Sequence, residues 1–289
     1  MFVKMTVAAL YRQICIKLET VYSKPEADKI CEWLFENKAG ITRQQWLKEP
    51  GMELDAAVTN SINNSLAELI AHKPIQYVTG EAWFYHLKLK VTPDVLIPRP
   101  ETEELVEMVI RQMPANQALS LLDIGTGSGC IPIAIKKNCR DVSVYAIDKS
   151  TAALAIAREN AENHQAAISF SAVDFLDEIE WETFPQFDII VSNPPYIPFN
   201  EMNKLDKHVS DYEPHEALFV AEDKPLLFYE KIARFGQTHL KTGGKIFTET
   251  HESLAYECAS LFKIYHYDAE VVKDMSGNDR FVTATLRYL

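Results

Sequence analysis

The stretch DIGTGSG, residues 123–129, decides the fold class of this 289-residue chain. It directly follows the apolar run LSLLDI (119–124) and opens a helical pattern at 129–138. Glycines at a strand-to-helix turn permit left-handed backbone angles and let a ligand approach the main chain. A dinucleotide fingerprint requires G-x-G-x-x-G, whereas here the third glycine comes one residue early. This spacing, with an acidic residue before the first glycine, favours S-adenosylmethionine over NAD; a tight turn without a ligand is the structural alternative.

Apolar runs with the character of strands alternate with helical patterns after this loop. The alternation predicts an α/β fold with a parallel sheet covered on both faces. The last run, 280–286, follows a Ser-Gly-Asn turn, so we expect an antiparallel strand that closes the sheet. In such sheets ligands bind beyond the carboxyl ends of the strands. The predicted strands are 119–124, 142–147, 168–173, 187–192, 244–250 and 280–286, and the predicted helices are 129–138, 150–163, 224–240 and 252–263.

Side chains suited to a nucleoside follow the second and third predicted strands. Asp148 comes 23 residues after Gly125, where a carboxylate can accept both hydroxyls of a ribose. Asp174 and Phe175 follow the third strand, where they can bind and cover an adenine. Dehydrogenases share the ribose carboxylate, so this pattern indicates a nucleoside without choosing the cofactor. Core packing is the alternative role for Phe175, and helix capping is the alternative for Asp174.

The sequence Ser192-Asn193-Pro194-Pro195-Tyr196 directly follows the fourth predicted strand. The two prolines fix successive backbone dihedrals and hold Asn193 extended, so its side-chain carbonyl and the main-chain carbonyl of Pro194 can face one point. Two converging acceptors suit an NH2 group, because they pull its nitrogen toward tetrahedral geometry and direct the lone pair outward. We expect Tyr196 to stack on the planar group that carries this nitrogen.

Charge is distributed unevenly along the chain. Residues 1–80 hold nine basic and nine acidic side chains, so residues 81–289 carry the whole net charge of −12. Nucleic-acid affinity depends largely on Lys and Arg, so the acidic part disfavours a nucleic-acid ligand. The five cysteines are scattered without a Cys-x-x-Cys pair, and we expect neither a disulfide framework nor a metal site. The first residues lack a signal-peptide pattern, and no run approaches the ~18 apolar residues of a membrane span, so we expect a cytoplasmic protein.

Periodicity divides the chain into three parts. Apolar residues recur at helical spacing over 4–70, which predicts a bundle of three or four short helices. The pattern FYHLKLKV (84–91) alternates after a Thr-Gly turn and predicts a β-hairpin. We therefore expect a helical domain over 1–73, a hairpin linker over 74–98 and an α/β domain over 99–289.

In these motifs the chain resembles a class I methyltransferase, and more closely the release factor glutamine methyltransferase family. The NPPY tetrad alone is shared with adenine-N6 DNA methyltransferases and with ribosomal-RNA and protein methylases. The combination of PRPETE, NPPY and YEPHEAL is much narrower. The matching segments are PIQYVTGEAWFY (74–85), VLIPRPETEELVE (95–107), LLDIGTGSGCIPIA (121–134), FDIIVSNPPYI (187–197), YEPHEAL (212–218) and DMSGNDRFV (274–282).

The resemblance implies a seven-stranded Rossmann-like domain that transfers a methyl group from S-adenosylmethionine, with S-adenosylhomocysteine as product. The acceptor would be the side-chain amide nitrogen (N5) of the glutamine in the Gly-Gly-Gln motif of class I peptide chain release factors, and the helical domain would grip that protein substrate. Asn193 and Pro194 are then the catalytic residues and, with Pro195 and Tyr196, bind the glutamine. The implied cofactor-binding residues are Gly125, Thr126, Gly127, Ser128, Gly129, Asp148, Phe175 and Asn193.

Two segments depart from the family pattern. The chain has ETHES at 249–253, where Glu-Ile-Gly and a later Gln are usual, and EDKPL at 222–226, where Asp-Gly-Leu is common. Both lie outside the motifs assigned to the pocket, so we expect them to change loop geometry rather than activity. His251 is a candidate base because histidine titrates near neutral pH. Methyl transfer from a sulfonium needs no prior deprotonation of the amide, however, so we expect no such role.

Three other functions fit part of the sequence. An adenine-N6 methyltransferase of DNA or RNA would share NPPY but needs a basic strip that the acidic part does not supply. A non-catalytic module that senses S-adenosylmethionine and docks a translation factor would need no clamp for an NH2 group, and a dehydrogenase is disfavoured by the glycine spacing. We predict a monomeric enzyme whose partners are class I release factors, with no direct contact to nucleic acid or a membrane.

Overall fold

The apolar periodicities form the following elements in a computed structural model, which describes residues 5–114 and 117–287. Helices α1–α12 span Val7–Leu18, Lys24–Ala39, Arg43–Lys48, Ala56–Ile70, Ile75–Thr79, Pro100–Arg111, Cys130–Asn138, Thr151–Asn163, Lys207–Ser210, His215–Leu218, Leu227–His239 and Ala255–Ile264. Strands β1–β11 span Glu81–Phe84, Leu87–Lys90, Ser120–Ile124, Ser143–Asp148, Ile168–Ala172, Phe187–Ser192, Ile197–Pro198, Phe219–Val220, Leu240–Glu249, Tyr267–Lys273 and Asp279–Leu286.

Seven of these strands form one sheet in the order β10-β11-β9-β6-β3-β4-β5. The five strands from β9 to β5 run parallel, whereas β11 is antiparallel to both of its neighbours, β9 and β10. The predicted α/β fold with a closing antiparallel strand is therefore confirmed. The strands predicted from the sequence do not include β10, because its outward-facing positions are charged and its apolar pattern is weak.

Apolar side chains cover both faces of this sheet. Neighbouring residues of β3 point to opposite sides, and Leu121 packs with Val106 of α6 and Ile133 of α7. Leu122 faces the other side, in a cluster with Ile232 of α11 and Phe262 of α12. Parallel strands buried on both faces are nearly continuously apolar. This explains why β3 and β6 are recognisable in the sequence as nearly continuous apolar runs.

The chain divides into two compact units. The first comprises the described residues up to Glu81 together with the segment Asp206–Tyr212, and the second comprises Ala82–Leu205 and the residues from Glu213 onward. Within the first unit the Tyr212 hydroxyl donates to the Ala71 carbonyl at 2.6 Å. This division differs from the predicted domain ends at 73 and 98. Periodicity along the chain does not detect a short distant segment that joins another unit.

The first unit is a helical bundle around one apolar core. Leu10 and Ile14 of α1 pack with Leu34 of α2 and Leu66 of α4 in that core. Helix α3 begins after Thr42 with a capping box, in which the Thr42 N–H donates to the side-chain oxygen of Gln45 at 2.8 Å. The stripe of apolar residues at helical spacing is thus the buried side of the bundle.

The predicted hairpin is present, but its turn lies elsewhere in the sequence. β1 and β2 are joined by Tyr85 and His86, which both have positive φ angles, +48° and +63°. The Tyr85 N–H donates to the Glu103 carboxylate at 2.9 Å, and its hydroxyl donates to Glu107. Gly80, which we expected to mark the turn, instead ends helix α5. Treating 84–91 as one alternating strand was wrong because these contacts hold a turn without glycine.

Candidate active site

A cavity of about 350 Å³ lies within the second unit, beyond the carboxyl ends of β3, β4 and β6. Its volume is within the ~300–1,000 Å³ range of small-molecule sites. Five of the residues predicted to bind the cofactor line it, together with both prolines predicted to bind the substrate. These residues are Gly125, Gly127, Asp148, Phe175, Asn193, Pro194 and Pro195.

The glycine loop is tied to the end of strand β4. The N–H groups of Gly125 and Thr126 both donate to the Ile147 carbonyl at 2.9 Å, and the Gly127 N–H donates to Asp148 Oδ2 at 2.8 Å. The other oxygen of Asp148 accepts the Ser150 N–H at 2.9 Å. Each carboxylate oxygen has further lone pairs, so Asp148 can accept ligand hydroxyls while it fixes the loop.

Three polar side chains, one directly before the glycine loop and two within it, are buried without a hydrogen-bond partner among the described residues. They are both carboxylate oxygens of Asp123 and the hydroxyls of Thr126 and Ser128. Burial raises the pKa of Asp123 to about 7. Buried polar groups are nearly always hydrogen-bonded, so unpartnered ones indicate where a ligand or water binds. Thr126 and Ser128, predicted to bind cofactor, do not line the cavity themselves.

Gly129 has a different role from the two glycines that line the cavity. A Cβ built there would lie 3.1 Å from Ile133 Cδ1 and 3.2 Å from Ala157 Cβ. Its φ of +80° also favours glycine. Next to it, the buried Asn160 side chain donates to the carbonyls of Ser128 and Lys90 at 2.9 and 3.0 Å. Gly129 therefore lets helices α7 and α8 approach each other, and it is not a lining residue.

Phe175 forms an apolar wall of the cavity. Its ring stacks on Trp181 with centroids 5.3 Å apart and meets Phe235 edge-on at 5.4 Å. Only 5% of the residue is exposed, yet it lines the cavity, so Phe175 is packed in the core and its predicted contact with an adenine stays a prediction. Asp174 lines the cavity as well, and its Oδ1 accepts the Leu176 N–H at 3.0 Å.

The NPPY segment begins beside the glycine loop. The Ser192 hydroxyl donates to the Ile124 carbonyl at 2.8 Å, which joins the ends of β6 and β3. Asn193 lines the cavity, and its Nδ2 donates to Thr102 Oγ1 at 3.0 Å. Tyr196 does not line the cavity, and its hydroxyl donates to Glu249 Oε1 at 3.1 Å. The expected stacking of Tyr196 on the substrate therefore remains a prediction.

Two buried carboxylates join the sequence motifs to one another. Glu249 accepts the Thr102 hydroxyl at 2.7 Å in addition to that of Tyr196, and burial raises the pKa of its carboxyl. Glu213 pairs with Arg99 at 2.6 Å and accepts the Ile97 N–H at 3.2 Å. We did not predict these contacts. The only sign of them in the sequence is that the PRPETE and YEPHEAL motifs contain charged residues to which no chemical role was assigned.

His251 caps a short helix and does not line the cavity. Its Nδ1 accepts the Ser253 N–H at 3.3 Å, at the start of a 3-10 helix over Glu252–Leu254. The expectation that His251 is not a base stays a prediction.

Comparison with known proteins identifies the family. Two family profiles match, the PrmC N-terminal domain over residues 9–80 and the methyltransferase small domain over residues 102–210. The release factor glutamine methyltransferase of Flavobacterium psychrophilum is 37% identical over 274 residues, which cover 93% of this chain and 95% of that protein. The protein of the same name from Bacteroides thetaiotaomicron is 38% identical over 270 residues, with 92% and 95% covered. The chain belongs to the release factor glutamine methyltransferase family.

A solved methyltransferase from Pyrococcus furiosus supports the fold alone. It superposes with a TM-score of 0.51 at 18% identity and covers 78% of this chain and 100% of that one. Among residues 5–114 and 117–287, no helix is long and apolar enough to span a membrane. Within the same ranges no group of three or more His, Cys, Asp or Glu residues could hold a metal ion.

Proposed function

We propose that this protein transfers a methyl group from S-adenosylmethionine to the side-chain amide nitrogen of the glutamine in the Gly-Gly-Gln motif of class I peptide release factors. One observation carries the proposal. Asn193 and Pro194 line the same cavity as the glycine loop, and the NH2 end of the Asn193 amide is bound to Thr102. The carbonyl end of that amide is therefore the end available to accept a hydrogen bond from a substrate NH2 group.

The cavity has the chemistry that S-adenosylmethionine requires. Asp148 offers a carboxylate for ribose hydroxyls, and Phe175 offers an apolar ring for an adenine. The carboxyl group of Asp123 is buried directly before the glycine loop and does not line the cavity, so we assign it no contact with the cofactor. We propose that the cofactor is contacted by the lining residues Gly125, Gly127, Asp148, Phe175 and Asn193. Thr126, Ser128 and Gly129 would act indirectly, by fixing the conformation of the loop.

When bound, the cofactor supplies an electrophilic methyl group on a sulfonium. The protein's contribution is to position the acceptor nitrogen. An amide nitrogen is a weak nucleophile because its lone pair is delocalised, and hydrogen bonds from its two N–H groups to the carbonyls of Asn193 and Pro194 would localise that lone pair on the side facing the methyl group. Orientation of two reactants can supply up to ~7–11 kcal/mol. No general base is needed, because the proton can leave to water after the bond forms.

Transfer to the release factor tests the proposal directly. Purified protein, S-adenosylmethionine and a class I release factor are incubated, and the peptide containing Gly-Gly-Gln is weighed by mass spectrometry. We expect a gain of one methyl group on the glutamine, and no gain on a factor whose motif is Gly-Gly-Ala. Asn193→Ala should lower kcat by about 10²–10³-fold, the loss typical of one preorganised polar group, while cofactor affinity largely survives. An unmodified peptide with the wild-type enzyme would refute the proposal.

The partner and the site of action belong to the same proposal. We propose that residues 1–73 dock the release factor, that the protein acts as a monomer in the cytoplasm, and that it contacts neither nucleic acid nor a membrane. The net charge of −12 supports a protein substrate over DNA or RNA. An adenine-containing oligonucleotide in the same assay should remain unmethylated. Methylation of the oligonucleotide at the rate of the release factor would favour adenine-N6 transfer instead.

A further inference from the structure

We infer that Thr102 and Glu249 are positioning residues that fix which end of the Asn193 amide faces the substrate. The inference rests on the proposed function, because it concerns how that amide receives the substrate NH2 group. The three side chains form a relay in which Asn193 Nδ2 lies 3.0 Å from Thr102 Oγ1, and Thr102 Oγ1 lies 2.7 Å from Glu249 Oε2.

An asparagine side chain has two nearly isosteric orientations, related by rotation of the terminal amide. In one of them the oxygen of Asn193 faces the cavity and accepts from the substrate nitrogen. In the other the NH2 group faces the cavity and meets the substrate NH2 group, so donor opposes donor. Productive binding therefore requires a device that distinguishes oxygen from nitrogen at a position where the two have almost the same shape.

The relay distinguishes them by the direction of its hydrogen bonds. An ionised carboxylate has no proton to give, so Glu249 accepts the single proton of the Thr102 hydroxyl. The Thr102 oxygen is then left with lone pairs only, and it accepts a proton from its other neighbour. That neighbour is the Asn193 amide, which must present its NH2 end to Thr102 and its oxygen to the cavity.

The surroundings of Glu249 favour this direction. Thr102 is 2% exposed and Glu249 is 1% exposed, so water does not compete for these bonds. The Tyr196 hydroxyl donates to the second carboxylate oxygen at 3.1 Å. Burial and the neighbouring Glu101 raise the pKa of this carboxyl, and Arg280 opposes them; the two hydroxyls that donate to its oxygens set the direction of the bonds. The relay connects the start of α6, the NPPY segment and the end of β9.

A neutral side chain at position 249 would allow the relay to reverse. In Glu249→Gln, Tyr196 can still donate to the amide oxygen, which leaves the new NH2 group facing Thr102. The Thr102 oxygen then accepts from position 249, and its proton is donated to the Asn193 oxygen. This reversal turns the NH2 end of Asn193 toward the cavity, in the orientation that repels the substrate.

The test is a double-mutant cycle measured on the release factor with the full chain. We expect Glu249→Gln to lower kcat about tenfold, which is the loss expected when a hydrogen bond of ordinary strength is made in the wrong orientation. The Kd of S-adenosylhomocysteine should stay within about twofold of the wild-type value. Thr102→Val removes the relay and should lower kcat by only about two- to fivefold, and Thr102→Ser should retain wild-type kcat. In the Thr102→Val background, Glu249→Gln should cause no further loss.

The background dependence separates positioning from structural damage. If Glu249→Gln lowers kcat by the same factor in both backgrounds, or leaves it unchanged, the inference is overturned. If Glu249→Gln does not fold, the matched pair at position 102 decides, and equal kcat values for Thr102→Val and Thr102→Ser overturn it. An inactive wild-type enzyme refutes the proposed function and this inference together, whereas an active wild type with an insensitive Glu249→Gln refutes the inference alone.

Discussion

Two glycines of the 125–129 loop, Gly127 and Gly129, should respond differently to the same substitution. We compare Gly129→Ala with Gly127→Ala, which places a methyl group on the same loop two residues earlier. Both positions have positive φ, +80° and +52°. An alanine in this left-handed conformation lowers the free energy of unfolding by about 1–2 kcal/mol, so both variants should be destabilised by that amount. The difference between them is the space around the new Cβ.

At Gly129 the added carbon would lie 3.1 Å from Ile133 Cδ1 and 3.2 and 3.3 Å from Cβ and Cα of Ala157. The isoleucine end can rotate away, but the main chain of helix α8 cannot. Overpacking of this kind costs about 1–3 kcal/mol. A Cβ built at Gly127 has no atom within 4 Å apart from those of its own chain neighbours. We therefore expect Gly129→Ala to lower the free energy of unfolding by about 2–5 kcal/mol, and Gly127→Ala by only about 1–2 kcal/mol.

Urea unfolding followed by far-ultraviolet circular dichroism measures the stability difference, and calorimetric titration with S-adenosylhomocysteine measures ligand affinity. Affinity should show the opposite order. Gly127 lines the cavity, so its new methyl group occupies space open to the ligand, and we expect affinity to fall at least about tenfold, or ~1.4 kcal/mol. The folded fraction of Gly129→Ala should bind normally. Equal losses of stability in the two variants, or a binding defect confined to Gly129→Ala, would refute the reasoning.

Three further predictions concern buried or lining carboxylates. Asp148→Asn should weaken S-adenosylhomocysteine binding by about 1.5–3 kcal/mol, the strength of hydrogen bonds to a charged acceptor, and an unchanged Kd in calorimetry would count against a role in ribose binding. Arg99→Met should lower the free energy of unfolding in urea by about 3 kcal/mol, which is near the lower end of the cost of breaking a buried ion pair because the Arg99 side chain is 29% exposed. A loss below about 1 kcal/mol would show that Glu213 needs no cation. The pKa of Asp123 is raised to about 7 in the fold against 3.8 in a free chain, so between these values the native state holds a proton that the unfolded chain releases. The free energy of unfolding should therefore fall as the pH rises from about 4 to about 7. Asp123→Asn should remove that slope between about pH 4 and about pH 7, and an identical slope in the variant would contradict the assignment.

The main features of the fold could be predicted because their signals are local. Strands β3 and β6 are mostly apolar, and the chemical motifs follow directly at their carboxyl ends, GTGSG after β3 and NPPY after β6. Neighbouring strands then bring the motifs together without further information. The same reasoning located Asp148 and Phe175 beside the glycine loop, where the structure has them lining one cavity.

Contacts between distant parts of the sequence could not be predicted in this way. Thr102 and Glu249 are 147 residues apart, and nothing in either local pattern indicates that one hydroxyl and one carboxylate meet. The turn at Tyr85 and His86 contains no glycine, asparagine or proline, and Tyr85 is held by two carboxylates of α6, one through its N–H and one through its hydroxyl. Gly129 illustrates the limit within a motif, because its spacing suggests a ligand contact whereas its packing partner on α8 is visible only in the fold.

The position of β11 has a consequence for how the enzyme acquires activity during folding. β11 follows β10 in the chain but lies between β10 and β9, so until β11 enters, β9 is paired only with β6 and β10 has no partner in the sheet. Pairings of this kind form late, and they leave sheet edges open to aggregation in the meantime. Arg280 belongs to β11 and hydrogen-bonds the Thr250 carbonyl at 3.4 Å, next to Glu249. A partly folded molecule that already holds the glycine loop and NPPY would still lack the cation beside Glu249, so we expect ligand binding to recover before turnover in refolding experiments.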